Sequence, residues 1–184
     1  MAHYDLTAIT AQIAAHRRAE GALVVAIDGP SGSGKTRLAR RIARALGGST
    51  LVRMDHLVTG WDGLEESTRL MRPVLEKLRA GEPVTYRMWD WAVEGWGAPL
   101  WRPAAASVVI EGCGSGALSL SDLVDYLIFV EAPEAVRHRR AIARDGATYQ
   151  PHWQRWAAQE DAHFTANRTA ERADLIIDGR MPVR

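Results

Sequence analysis

The chain of 184 residues is 47% hydrophobic and 24% charged, the balance of an ordinary globular protein and not of a disordered or fibrous one. Its 23 basic and 22 acidic residues leave a formal charge of +1, which removes the electrostatic footprint of a duplex-binding module. The length suits one compact domain over 1–184, and the lone Cys113 excludes an internal disulfide framework and any multi-cysteine metal site. Only Lys35 and Lys77 are lysines against twenty-one arginines, so any motif that needs a lysine is confined to those two positions.

In chain order, Leu6, Ile9, Ile13 and Ala14 recur at helical spacing and predict an amphipathic helix within the first twenty residues. Gln12, His16, Arg17 and Arg18 interrupt it, and no run of eighteen apolar residues follows anywhere. Neither a secretion signal nor a membrane span is expected, and a cytoplasmic location is. Ala22 to Ile27 is a continuous apolar run suited to a strand buried on both faces. Gly29 to Gly34 break it, and a helix with Leu38, Ile42, Ala45 and Leu46 on one side follows. A second strand over 50–54 ends at Asp55, and a helix over 64–80 carries Pro73, where a kink or break is expected. Residues 82–103 are irregular and aromatic. A third strand over 106–110 ends at Glu111, and a fourth over 126–130 ends at Glu131. A helix over 133–144 opens with a proline in its first turn, a further helix covers 151–168, and the fifth strand covers 174–178. Strands alternating with helices give an α/β fold with a parallel sheet, and ligands of such sheets collect beyond the strands' carboxyl ends. Asp28, Asp55, Glu111 and Glu131 all stand there.

Gly29-Pro30-Ser31-Gly32-Ser33-Gly34-Lys35-Thr36 fits G-x-x-x-x-G-K-[ST] in full, between a predicted strand and a predicted helix. A chance match in a chain of this length is about one in a hundred. Glycines let backbone N–H groups converge on phosphate oxygens, and the helix N-terminus adds positive potential. Lys35 reaches the β- and γ-phosphates, and the Thr36 hydroxyl is placed to ligate Mg²⁺. Neither lysine sits in the Asn-Lys-x-Asp motif of a GTPase, and no strand ends in the Asp-Glu of motor or transporter ATPases. A small-molecule kinase arrangement remains: phosphate loop, acceptor site and arginine-rich lid.

On the acceptor side, Asp55 reads either as the base that takes a proton from an attacking hydroxyl or as a turn residue before Gly60-Trp61-Asp62-Gly63. Glu111 reads as a holder of Mg²⁺ through water or as a strand-end acid bonded to backbone. Asp28 serves the loop or the metal water. Arg137, Arg140 and Arg144 share a helical face, with Arg139 off it. Arg140 and Arg144 are the foremost candidates for a lid that neutralises transferring charge, and a plain solvated face is the alternative. Trp89, Trp91, Trp96 and Trp101 crowd into thirteen residues near Tyr86, Arg87 and Asp90. An extended backbone turns Trp89 and Trp91 to the same side, as stacking walls or simply as packing. Trp153, Trp156 and Phe164 read as packing, and His56 stands beside Asp55.

These pieces resemble the uridine kinase-like branch of P-loop kinases, which includes phosphoribulokinase and bacterial pantothenate kinase relatives. The match rests on 27–36, Met54-Asp55, Val109-Ile110-Glu111-Gly112, Arg139-Arg140 and Arg144-Asp145, spread over residues 22–178. The resemblance implies a three-layer sandwich with a five-stranded parallel sheet, an acceptor-binding region over 56–104 and a lid over 137–150. It also implies transfer of the ATP γ-phosphate to a hydroxyl of a small-molecule acceptor, with Asp55 as base. Nucleoside kinases of this branch carry Pro-x-Tyr-Asp. Here Pro83-Val84-Thr85-Tyr86 is followed by Arg87, and the nearest acid is Asp90. A nucleoside-like acceptor leads, bound by Asp55, Tyr86, Arg87, Trp89, Asp90 and Trp91. A nucleotide, a pantothenate-like acid, an antibiotic or a non-catalytic ATP-sensing role stays open, as does a homodimer; no nucleic-acid partner is expected.

Overall fold

A computed structural model describes residues 3–184. Helix α1 (Leu6–Ala15) starts where the Asp5 carboxylate accepts hydrogen bonds from Thr7 N and Ala8 N, at 2.8 and 3.4 Å, and it buries Ile9 and Ile13. Strand β1 (Leu23–Asp28) is buried along its whole length. The elements that follow are α2 (Lys35–Ala45), β2 (Thr50–Arg53), α3 (Leu64–Arg79), β3 (Val84–Asp90), β4 (Gly95–Arg102), β5 (Ser107–Glu111), β6 (Tyr126–Glu131), α4 (Glu134–Tyr149), α5 (Trp153–Asn167), α6 (Thr169–Arg172) and β7 (Leu175–Asp178).

Five strands form a parallel sheet in the order β2-β5-β1-β6-β7. Alternate side chains of β1 feed two cores. Val24 and Ala26 pack with Met71, Leu75 and Leu78 of α3. Leu23, Val25 and Ile27 pack with Ile13 of α1 and Leu38 and Ile42 of α2. Helices therefore cover both faces, and each fully buried aliphatic side chain contributes about 1.5–3 kcal/mol. Register sets Glu111 opposite both Ile27 and Arg53, and Asp28 opposite Phe129, so the strands' carboxyl ends lie level. The chain leaves β1 between β5 and β6, which opens a crevice above the sheet at that point.

Three expectations need correction. Residues 84–102, irregular by pattern, form an antiparallel hairpin whose register slips between Arg87 and Trp89, which breaks the alternation of a strand. Helix α3 continues through Pro73. Both Pro73 and Arg69, whose carbonyl loses its N–H partner, face solvent, so water can take that carbonyl. Helix α4 begins after Pro133, which is its cap and not its first turn, and extends to Tyr149 across a break at Gly146 with φ 57° and ψ −135°.

Candidate active site at the carboxyl ends of the strands

Two positions of the turn after β1 admit no side chain. A Cβ at Gly29, whose φ is +137°, would lie 2.1 Å from Val130 O; one at Gly32, with φ +77°, would lie 2.2 Å from Arg137 O. Gly34 caps α2, so the free N–H groups of the helix's first turn face the loop. Ser33 is fully buried, and Gly179, following β7, meets it so closely that a Cβ there would lie 1.9 Å from Ser33 O. Lys35 is only 9% exposed, and its ammonium donates back to Pro30 O at 3.2 Å.

Asp28 serves the loop directly. Its carboxylate accepts from Gly29 N, Gly114 N and Gly116 N at 2.7, 3.0 and 2.8 Å, tying the turn after β1 to the turn after β5. Burial pushes its carboxyl up, against the pull of the Gly116 and Gly29 N–H groups and of the His163 and Lys35 charges.

Thr36, in the first turn of α2, donates its hydroxyl to Glu111 Oε2 at 3.1 Å, while Arg53 Nε donates to Glu111 Oε1 at 3.0 Å. Arg53 also reaches Asp55 Oδ2 at 3.3 Å, so one guanidinium bridges the two acids. Burial and the Asp55 charge raise the Glu111 carboxyl; Lys35, Arg53 and Thr36 oppose them. Asp55 sits on a 3-10 turn over Met54–His56 with its side chain 53% exposed, and its carboxylate pairs with Arg53 instead of capping the 60–63 turn. The donors gathered at the loop's end are a hydroxyl and carboxylates, the oxygen set that suits Mg²⁺. No group of three or more His, Cys, Asp or Glu stands ready to hold a metal by itself among the described residues.

The arginines of α4 divide. Arg140 donates to the outer carbonyls of Gly32, Ser33 and Gly179 at 3.4, 3.4 and 3.1 Å, and with Gly34, Arg37 and Gly179 it borders a cavity of about 260 Å³. Arg137 is largely buried between Ala132 O and Ser31 O, over the Trp153 ring. Arg144 pairs with Asp145 and feels the charge of Asp55. Arg139, like Arg140 and Arg144, is exposed.

Of the residues expected to line the acceptor, Tyr86 and Trp91 reach the neighbourhood of Asp55. The Tyr86 hydroxyl meets His56 Nδ1 at 3.0 Å, and Trp91 Nε1 donates to Asp55 O at 3.4 Å. The others serve the hairpin. Arg87 donates to Trp96 O and Gly97 O, Asp90 accepts from Ala92 N, and Trp89 sets its ring edge-on to Trp96 at 5.5 Å. Trp89 and Trp91 do not share a side as expected: β3 ends at Asp90, and the Trp91 ring turns to Trp61 at 5.0 Å.

Two features are not apparent from the sequence pattern. Trp61 stacks on Tyr149 and His152 at 5.3 and 4.3 Å, and its carbonyl accepts from Gln159, while Asp62 pairs with Arg155. Segments from the acceptor side and from the end of α4 thus meet on one ring. Trp156 does more than pack: its Nε1 reaches Ser31 Oγ at 3.0 Å and Glu160 Oε1 at 2.7 Å, and Glu160 in turn takes the Ser31 N–H. The i, i+4 spacing of Trp156 and Glu160 is the only signal of this in the sequence.

Solved structures share this architecture. A possible uridine kinase from Bacillus stearothermophilus superposes with TM-score 0.66 at 22% identity, over 94% of this chain and 97% of that one. A candidate fructose transport system kinase from Silicibacter sp. TM1040 gives 0.67 at 23%, over 93% and 98%. A D-glycerate 3-kinase from Cryptococcus neoformans gives 0.54 at 14%, over 86% and 83%. No protein-family model and no curated protein sequence matches the chain. The chain shares the fold of these solved structures, a five-stranded parallel sheet with helices on both faces.

Proposed function

We propose that the protein is an ATP-dependent small-molecule kinase that phosphorylates a hydroxyl group. The observation that carries this reading is the meeting of three parts in one place: the Thr36 hydroxyl on Glu111, the Lys35 ammonium across the loop, and Asp55 joined to Glu111 by Arg53. A protein that only sensed a nucleotide would need no half-exposed acid beside the loop. Thr36 and, through water, Glu111 would hold Mg²⁺, which neutralises phosphate charge when bound. The loop N–H groups and Lys35 orient the triphosphate. The acceptor oxygen then bonds to the γ-phosphorus as the bridge to the β-phosphate breaks; its proton passes to an Asp55 carboxylate oxygen, and ADP leaves. Arg144, which feels the charge of Asp55, compensates the equatorial oxygens, while Arg140, bound to the outer carbonyls of Gly32, Ser33 and Gly179, braces the loop from behind.

A nucleoside-like acceptor is the leading substrate class, with Tyr86 and Trp91 as its nearest walls. One observation favours a different small alcohol: Arg87 stands where nucleoside kinases of this branch carry an acid, and its guanidinium is spent on hairpin carbonyls. No helix among the described residues is long and apolar enough to cross a membrane, and we place the reaction in the cytoplasm with a free small molecule as partner. An ATP-consumption screen over nucleosides, nucleotides, hydroxy acids, vitamins and aminoglycosides tests the reading. Acceptor-dependent ADP release is expected from one class, and no release with any of them overturns it.

A further inference from the structure

One peptide plane of the phosphate loop is held from both edges. The Pro30–Ser31 amide donates its N–H to Glu160 Oε1 at 2.7 Å, while its carbonyl, Pro30 O, accepts from the Lys35 ammonium at 3.2 Å. In a trans peptide these two groups point in opposite directions, so Glu160 and Lys35 stand on opposite edges of a single rigid plate. Glu160 is itself fixed. It is 1% exposed in the middle of α5, its Oε1 also takes the Trp156 N–H at 2.7 Å, and its Oε2 lies 3.7 Å from the Arg137 guanidinium. Arg137 is in turn pinned by Ala132 O, Ser31 O and the Trp153 ring.

We propose that Glu160 is a positioning residue for Lys35. By drawing the Ser31 N–H toward α5, it keeps the Pro30 carbonyl turned to the lysine and holds the ammonium at the loop's first arm, where the β- and γ-phosphates arrive. A flipped peptide would set a carbonyl against the buried Glu160 carboxylate and an N–H against the ammonium, both unfavourable in this half-buried place. Without an acceptor oxygen at that place the tie on the Ser31 N–H is lost and the plate can turn. The inference rests on the phosphate-binding reading of the loop.

Calorimetric titration with Mg²⁺-ATP and Mg²⁺-ADP, without any acceptor, tests it on the wild type and on substituted variants. Glu160→Gln keeps an acceptor oxygen for Ser31 and should bind ATP within about threefold of wild type. Glu160→Asp keeps the charge but is one methylene too short; it should weaken ATP about tenfold or more and ADP clearly less, because Lys35 acts at the β/γ end. Glu160→Met, of similar length without an acceptor, should show the same loss and replaces the aspartate variant if that one does not fold. Wild-type ATP affinity in Glu160→Asp or Glu160→Met overturns the proposal. So does a parallel loss of ATP and ADP affinity with a lowered melting temperature, which would mark Glu160 as packing only. A wild type that binds neither nucleotide overturns the kinase reading itself, and this inference with it.

Discussion

The phosphate loop and the acceptor wall sit a few residues apart in space and are built by different means. The loop is a continuous stretch whose backbone is gripped from three sides: Val130 and Gly179 beside it, Arg137 over it, and Asp28 and Glu160 binding its amides. The proposed acceptor wall is assembled from distant pieces, with Asp55 after β2 and Tyr86 and Trp91 from the hairpin, Trp91 resting on Trp61, which stacks in turn on Tyr149 and His152 beyond Gly146. Its acid is half exposed, whereas Asp28 and Glu160 on the loop are buried. A phosphate chain is the same in every kinase, so its cradle can be rigid and local. An acceptor varies, so its walls come from segments that can change one at a time.

The comparison can be broken in several places. The largest effect is expected at its two poles. Lys35→Ala should lose ATP binding and turnover together, while Asp55→Asn should bind ATP as the wild type does and lose about 10²–10⁴-fold in transfer rate. Paired calorimetry and ADP-release assays check this, and full transfer by Asp55→Asn would remove the base from the acceptor side. Next comes Asp28→Asn, which turns one side-chain acceptor into a donor facing a buried N–H. It should cost about 2–4 kcal/mol of stability by urea unfolding. An unchanged midpoint would mean that the loop does not depend on this tie.

A third test uses pH. Burial, with Arg53 and Arg102 nearby, lowers the His56 pKa from 6.5 to about 4, against the Asp55 charge. The unfolded chain takes up this proton near pH 6.5 and the folded protein only near 4. Stability from this group is therefore complete above pH 6.5 and drains as pH falls toward 4, by about 2–3 kcal/mol. The urea midpoint of His56→Gln should fall less over that window than the wild type's; equal falls would free the acceptor wall of this constraint. The smallest effect separates two rings. Trp91→Phe removes the N–H to Asp55 O and should raise the acceptor KM about three- to fivefold, while Trp89→Phe should leave it within about twofold and cost about 1 kcal/mol of stability. Equal KM shifts would erase the division between hairpin and wall.

What was legible in the chain follows the same division. The buried strands showed as continuous apolar runs, because a parallel strand covered on both faces has no polar side to alternate with. The phosphate loop showed because its chemistry admits few residue types at fixed spacing. The hairpin did not: Pro99, Gly95 and Gly97 weaken its strand character, both strands are half exposed, and the slip after Arg87 interrupts the period. Arg87 and Asp90 looked like ligand groups because their own-hairpin partners are set by a turn that composition does not reveal. Nothing in the local sequence of α5 marks Glu160 as part of the loop. Only the approach of α5 to Ser31, 129 residues away in sequence, makes it part of the loop.

The contact between Gly179 and Ser33 gives the protein a direction in time. Residue 33 leaves the ribosome long before residue 179, and β7 is joined to the sheet at the far side of β6. The phosphate loop is written early and gripped late: until β7 docks, Ser33 lacks its Gly179 neighbour and the loop lacks one of its walls. Competence for nucleotide should therefore appear as one of the last events of folding, after the central strands have paired, because the contact that completes it is among the longest in the chain.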